Sequence, residues 1–174
     1  MDIGLEAVGL VAIILGSVGF VWANPRIVMR SLAAASATWT VYYALSDAWS
    51  GVAATAMGFL RWCVGAFAPD WAMRPVAICL GLAGAVLAWW FGAGVAAIAA
   101  AIGVLLRTAA MMLRDRPVTF RVAAIGGEGC WLVHDILMAT WAAAASSVLS
   151  AAIILGSGVR LWWRARPADY TAAS

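Results

Sequence analysis

The side chains able to do chemistry cluster on one short run of this sequence. Between residues 122 and 140 stand Glu128, Trp131, His134 and Asp135. On a helix, Glu128 and Asp135 are seven positions apart and share a face, with Trp131 between them. His134 is the single histidine of the chain and sits beside a carboxylate. Imidazole and carboxylate can both exchange protons where a water-filled cavity reaches them. Two roles follow for the pair: solute contact or proton coupling, or a satisfied bond between helices. Adjacent helix positions do not face each other, so His134 and Asp135 are not a catalytic dyad by themselves. Glu128 needs a cation at its own depth, because a bare charge in hydrocarbon costs about 2.5–3.5 kcal/mol. Arg107 and Arg61 both lie at such a depth, and either satisfies the requirement as a structural ion pair.

What is missing excludes other chemistry. All eleven basic residues are arginine, so no lysine exists to grip a nucleotide phosphate or form a Schiff base. One His, one Asn (Asn24) and no Gln leave no multi-histidine metal or haem site. Cys63, Cys79 and Cys130 stand in apolar stretches without ligand spacing and read as small core hydrophobes. An intramembrane enzyme would need a nucleophile, and the nearest candidate is Cys130, four positions before His134. The sequence therefore predicts no enzyme, no metal and no cofactor.

The elements that hold these residues follow from composition. Of 174 residues, 66% are hydrophobic and 11% charged, and the mean hydropathy is +0.96. Soluble domains carry about 45–50% apolar and about 25% charged residues. The fold class expected is an all-α membrane protein. A helix needs about 20 apolar residues to cross the hydrocarbon. Seven segments qualify, roughly 3–23, 31–47, 51–68, 76–91, 93–113, 122–140 and 143–163. The acidic start (Asp2, Glu6) is unlike a cleavable signal. Every arginine falls toward one side of this scheme, and the alternate loops 46–51, 91–94 and 139–142 have none. The positive-inside rule then places the N-terminus outside and the C-terminus in the cytoplasm.

Nine of the eleven tryptophans lie near span ends and read as an interfacial belt. Trp39 and Trp131 remain, each near mid-span and 92 residues apart. The same offset maps Pro25 onto Pro117, Tyr42 onto His134, Tyr43 onto Asp135, Leu45 onto Leu137 and Trp49 onto Trp141. The repeat predicts two parallel three-helix bundles, 1–74 and 93–166, joined by a linker helix at 75–92 in a 3-1-3 plan, with 167–174 as a cytoplasmic tail. Parallel repeats of this kind occur in transporters that bind solute near the midplane, at the repeat interface. Ser146, Ser150 and Ser157 form a hydroxyl stripe on span 7, read either as packing glue or as a solute track.

Two runs carry a family resemblance. They are Val41-Tyr42-Tyr43-Ala44-Leu45 through Leu60-Arg61, and Trp131-Leu132-Val133-His134-Asp135 through Arg160-Leu161-Trp162. They resemble the YgjV-type bacterial inner-membrane proteins, most specifically in a Trp-x-x-His-[Asn/Asp] run matched by Trp131, His134 and Asp135. More distantly, the 3-1-3 plan is similar to that of the PQ-loop and SWEET transporter superfamily. Pro25 and Pro117 match the hinge prolines of that superfamily, while Arg26 and Val118 stand where it has Gln. The resemblance implies a multi-pass protein of the bacterial inner membrane and alternating access between two bundles.

The function expected is a small-solute carrier, passive or proton-coupled. Trp39, Tyr43, Trp131 and Asp135 would contact the solute. Tyr42, His134 and Glu128 would gate or couple, and Pro25 and Pro117 would let the cytoplasmic ends bend. The partners expected are the bilayer and a solute, with no nucleic acid, and a homo-oligomer is left open. The alternative is a non-transporting partner or assembly protein of the same membrane, which would have no central cavity.

Overall fold

The computed structural model describes residues 3–19, 25–113 and 116–165. Side chains at 18, 19, 25, 70, 117, 157, 158 and 160–165 fall outside what is described, as does the expected tail at 167–174. The described residues form seven α-helices and no strand: α1 Ile3–Gly19, α2 Pro25–Leu45, α3 Trp49–Phe67, α4 Asp70–Phe91, α5 Gly94–Met112, α6 Pro117–Leu137 and α7 Trp141–Ala165.

Helix starts differ from the sequence expectation for one physical reason. Hydropathy begins a span after the last charge, whereas the backbone begins a helix where a helical residue is first tolerated. Proline suits the first helical position, because its missing N–H would have no partner there. Accordingly α2 begins at Pro25 and α6 at Pro117, and both carry their arginines in the first turns. Helix α4 begins at Asp70 and runs through Pro75, whose missing N–H leaves the Trp71 carbonyl without its helical donor.

Each helix packs on the next in sequence, and two further contacts, α3 with α5 and α1 with α7, close the assembly. Polarity is inverted relative to a soluble protein. Ser50, Thr55, Arg61, Thr108, Glu128, His134, Asp135, Thr140 and Ser147 are buried, while Leu, Ile, Val, Phe and Trp side chains cover the outside. Trp49, Trp71, Trp89, Trp90 and Trp141 are all exposed, whereas Trp131 is buried. Such a surface suits lipid. By length and composition, Trp71–Phe91 and Gly94–Met112 are apolar enough to cross a membrane, and Ile3–Ser17 and Trp141–Gly156 are shorter apolar helices.

Two turns, α2–α3 and α6–α7, have one design. Ser46 N–H donates to Tyr42 O, Asp47 N–H to Ala44 O, and Ala48 N–H to Tyr43 O. Ninety-two residues on, Met138 N–H donates to His134 O, Ala139 N–H to Ile136 O, and Thr140 N–H to Asp135 O. Asp47 and Ala139 both take φ 54°. This is the Schellman ending, in which one left-handed residue lets the chain satisfy the last carbonyls of a helix. The offset found in the side chains is thus also present in the backbone.

Candidate functional site

The last turns of α2 and α6 and the first turns of α3 and α7 converge around Asp135. Tyr43, at the end of α2, donates its hydroxyl to Asp135 Oδ1 at 2.7 Å. These two residues are equivalent under the repeat, so equivalent positions of the two halves touch each other. Tyr43 reaches Asp135 because Gly51 leaves room: a Cβ there would stand 2.7 Å from the Tyr43 ring. The Tyr43 ring stacks on Trp131 at 5.9 Å and 29°. Trp39 meets Tyr42 edge-on at 5.3 Å and Tyr43 at 6.1 Å. Trp131 lies close against α5, where a Cβ at Gly103 would be 3.0 Å from its Nε1.

His134 and Asp135 do meet, against the expectation from their adjacency. His134 Nδ1 lies 2.9 Å from Asp135 Oδ1, and Nε2 lies 3.0 Å from Ser50 Oγ. The Cβ atoms of neighbouring helical residues diverge by about 100°. Here both side chains bend into one space between helices, where Tyr43 and Ser50 supply partners. Thr140 Oγ1 adds a bond to Asp135 Oδ1 at 3.3 Å, and Ser147 Oγ lies 3.5 Å from Oδ2. A neutral imidazole donates from one nitrogen and accepts at the other. With Nδ1–H toward Asp135, Nε2 accepts from the Ser50 hydroxyl.

Ser50 is 2% exposed and His134 0%. Asp135, the far end of this chain of bonds, lines a cavity.

The cavity has a volume of about 30 Å³ and is lined by Trp39, Tyr43, Thr55, Arg107, Trp131, Asp135, Ala143, Ser146 and Ser147. That is room for a water or two. Three pairs on its wall, Trp39 with Trp131, Tyr43 with Asp135 and Thr55 with Ser147, are 92 residues apart. All four residues expected to contact solute are on this wall. Tyr42 and His134 are buried beside it, in contact with the wall through Trp39 and Asp135 respectively.

Glu128 is bound by Arg107, not Arg61. Arg107 Nη2 lies 2.8 Å from both Oε1 and Oε2 of Glu128, and its guanidinium sits over the Trp131 ring at 5.2 Å. Arg61 is 3% exposed and lies over Trp62 at 5.3 Å. Its Nη1 donates to Thr108 Oγ1 at 2.5 Å and Val104 O at 3.4 Å, and its Nε has no partner among the described residues. Sequence depth gave both arginines equal claim, because depth says nothing of lateral position. Pro25 stands eighteen positions before Tyr43 in α2, about 27 Å along the axis, and Pro117 stands eighteen before Asp135 in α6. Neither is part of the cavity.

Ser50, Thr55, Thr140 and Ser147 are site residues that inspection of the sequence did not single out. Applying the offset to the span-7 hydroxyls finds Thr55 as the counterpart of Ser147. Nothing comparable marks Ser50. Of the expected hydroxyl stripe, Ser146 reaches the cavity wall, Ser150 does not, and the Ser157 side chain lies outside the description. Among the described residues, no group of His, Cys, Asp or Glu is arranged to hold a metal.

No curated protein and no solved structure matches the chain. The comparisons lend no support to the PQ-loop likeness. Residues 4–165 match the family Imp-YgjV, described as bacterial inner membrane protein, and with that match covering nearly its whole length, the chain belongs to this family and is a protein of the bacterial inner membrane.

Proposed function

We propose that the chain is a small-solute carrier whose two halves move about the cavity between them. The observation that carries this reading is the cavity wall itself. It is built from three repeat-related pairs, with equivalent residues Tyr43 and Asp135 bonded to each other. A site on a pseudo-two-fold axis is where two halves can rearrange around one solute. In this reading all seven helices span the bilayer, N-terminus outside, in the 3-1-3 plan, with α1–α3 and α5–α7 as the bundles and α4 as the linker. The pattern of contacts supports it. A two-fold exchanging the bundles turns the α3–α5 contact into α7–α1, and both occur. Orientation is supported by the turns at 46–48, 92–93 and 138–140, which hold no arginine.

Trp39, Tyr43, Trp131 and Asp135 contact the solute, while Tyr42 and His134 back them. Arg107 and Glu128 form the ion pair beside Trp131 and couple its position to α5 and α6. Pro25 and Pro117 lie at the cytoplasmic ends, where the bundles bend. The cycle needs no covalent chemistry, no cofactor and no metal. The small cavity corresponds to a closed state, and solute entry requires the halves to separate. Uptake into proteoliposomes across a solute panel tests the reading, with Trp131→Ala for comparison. A solute that accumulates with wild type and at least tenfold more slowly with the variant is the expected result. No movement of any solute by folded protein sinks the proposal.

A further inference from the structure

The two charged groups on the cavity wall have opposite sign, and each has hydrogen-bonding capacity to spare. Asp135 Oδ1 is crowded, with Tyr43, His134 and Thr140 around it. Oδ2 has only Ser147 at 3.5 Å, the outer limit of a hydrogen bond. Arg107 meets Glu128 through Nη2 alone. Its Nη1 and Nε find no acceptor among the described residues, and a third of the side chain is uncovered. A guanidinium has five donors in a fixed fork, so most of its capacity is unused. Between these groups lies the face of Trp131, with Tyr43 stacked on it and Trp39 beside Tyr43.

Charge bookkeeping restricts what can enter. Arg61, Glu128 and Asp135 are buried and Arg107 is half-buried, two basic and two acidic side chains in one region. A net cation or a net anion brought here unbalances a low-dielectric interior. A solute carrying both charges does not. Its cationic end meets Asp135 Oδ2 and the aromatic faces, which attract cations. Its anionic end meets the free donors of Arg107, a geometry suited to carboxylate. The hydroxyls of Thr55, Ser146 and Ser147 satisfy what remains polar.

We infer that this cavity selects a zwitterion, a small molecule bearing an ammonium and a carboxylate, with Asp135 reading the first and Arg107 the second. The inference rests on the carrier reading for its biological use, but its test is one of binding. Calorimetry on the purified full-length chain uses unbranched ω-amino acids from glycine to 6-aminohexanoate as probes. Each is paired with the amine lacking the carboxylate and the acid lacking the ammonium. The best zwitterion is expected to bind at least tenfold tighter than either one-charge partner, with the optimum chain length reporting the spacing of the two groups. Asp135→Asn should remove that preference. So should the double variant Arg107→Gln/Glu128→Gln, which deletes both members of the ion pair and leaves neither charge bare. The analogue comparison on the wild type stands even if a variant fails to fold. Binding of an amine or an acid to within tenfold of the best zwitterion overturns the inference, and so does the absence of binding by any probe. Trp131-dependent uptake of an uncharged solute would keep the carrier and sink the zwitterion. Zwitterion binding without uptake of the same probe would do the reverse.

Discussion

The turn joining α2 to α3 and the turn joining α6 to α7 are alike in backbone and unlike in chemistry. Both end a helix with the same three backbone bonds and the same left-handed residue. The first half brings Tyr42, Tyr43 and Ser50 to this region, and the second brings His134, Asp135 and Thr140. The difference teaches why the repeat had to diverge. In the proposed two-fold arrangement, residues on the axis meet their own counterparts, so identical halves would set tyrosine against tyrosine or carboxylate against carboxylate. Two carboxylates in contact cannot both ionise. A tyrosine facing an aspartate gives a donor and an acceptor, and one charge. Packing follows the same logic. Gly51 faces the large Tyr43, and its counterpart in the half that carries the smaller Asp135 is the buried Ala143.

If the halves differ in this way, removing the charged member should cost most. Asp135→Ala would strand the Tyr43 hydroxyl and leave His134 Nδ1 without its partner in a buried site. Its expected cost is about 3–5 kcal/mol, read as a fall in melting temperature in detergent. Tyr43→Phe removes one bond to a charged acceptor and should cost about 1.5–3 kcal/mol. Equal losses for the two variants would break the asymmetry. Gly51→Ala is next, at about 1–3 kcal/mol, because a methyl must push the Tyr43 ring off Asp135. In the other half Ala143→Gly takes only one methyl from the wall and should cost about 1 kcal/mol, less than Gly51→Ala. The smallest effect is a gain. Ala139 pays for a left-handed backbone with no compensating side chain, so Ala139→Gly should stabilise by about 1 kcal/mol. Asp47→Gly should gain less, because aspartate tolerates that conformation better than alanine does. Chemical denaturation of the two glycine variants separates these cases.

Much of this site was legible from residue type and spacing. Subtracting interfacial tryptophans left Trp39 and Trp131, and both are on the cavity wall. One offset then paired Tyr43 with Asp135, residues that prove to be in contact. Three things were not legible. Helices α2, α4 and α6 extend beyond their apolar spans to Pro25, Asp70 and Pro117, because hydropathy registers charge while backbone bonding sets the boundary. The choice between Arg61 and Arg107 depends on lateral packing, to which sequence depth is blind. The His134–Asp135 contact depends on what Ser50 and Tyr43 offer from other helices, and a rule about neighbours on one helix does not contain that information.

The indole of Trp131 has a further practical consequence. Among the described residues its Nε1 is buried with no acceptor and five other tryptophans are exposed at helix ends, in a chain with eleven tryptophans. An indole N–H without an acceptor resonates apart from those bonded to water or headgroups. Nitrogen-15 labelling of tryptophan, with Trp131→Phe to assign its peak, therefore places a reporter on the cavity wall. On the carrier proposal that peak should shift when the halves open or a solute arrives, without any probe being attached.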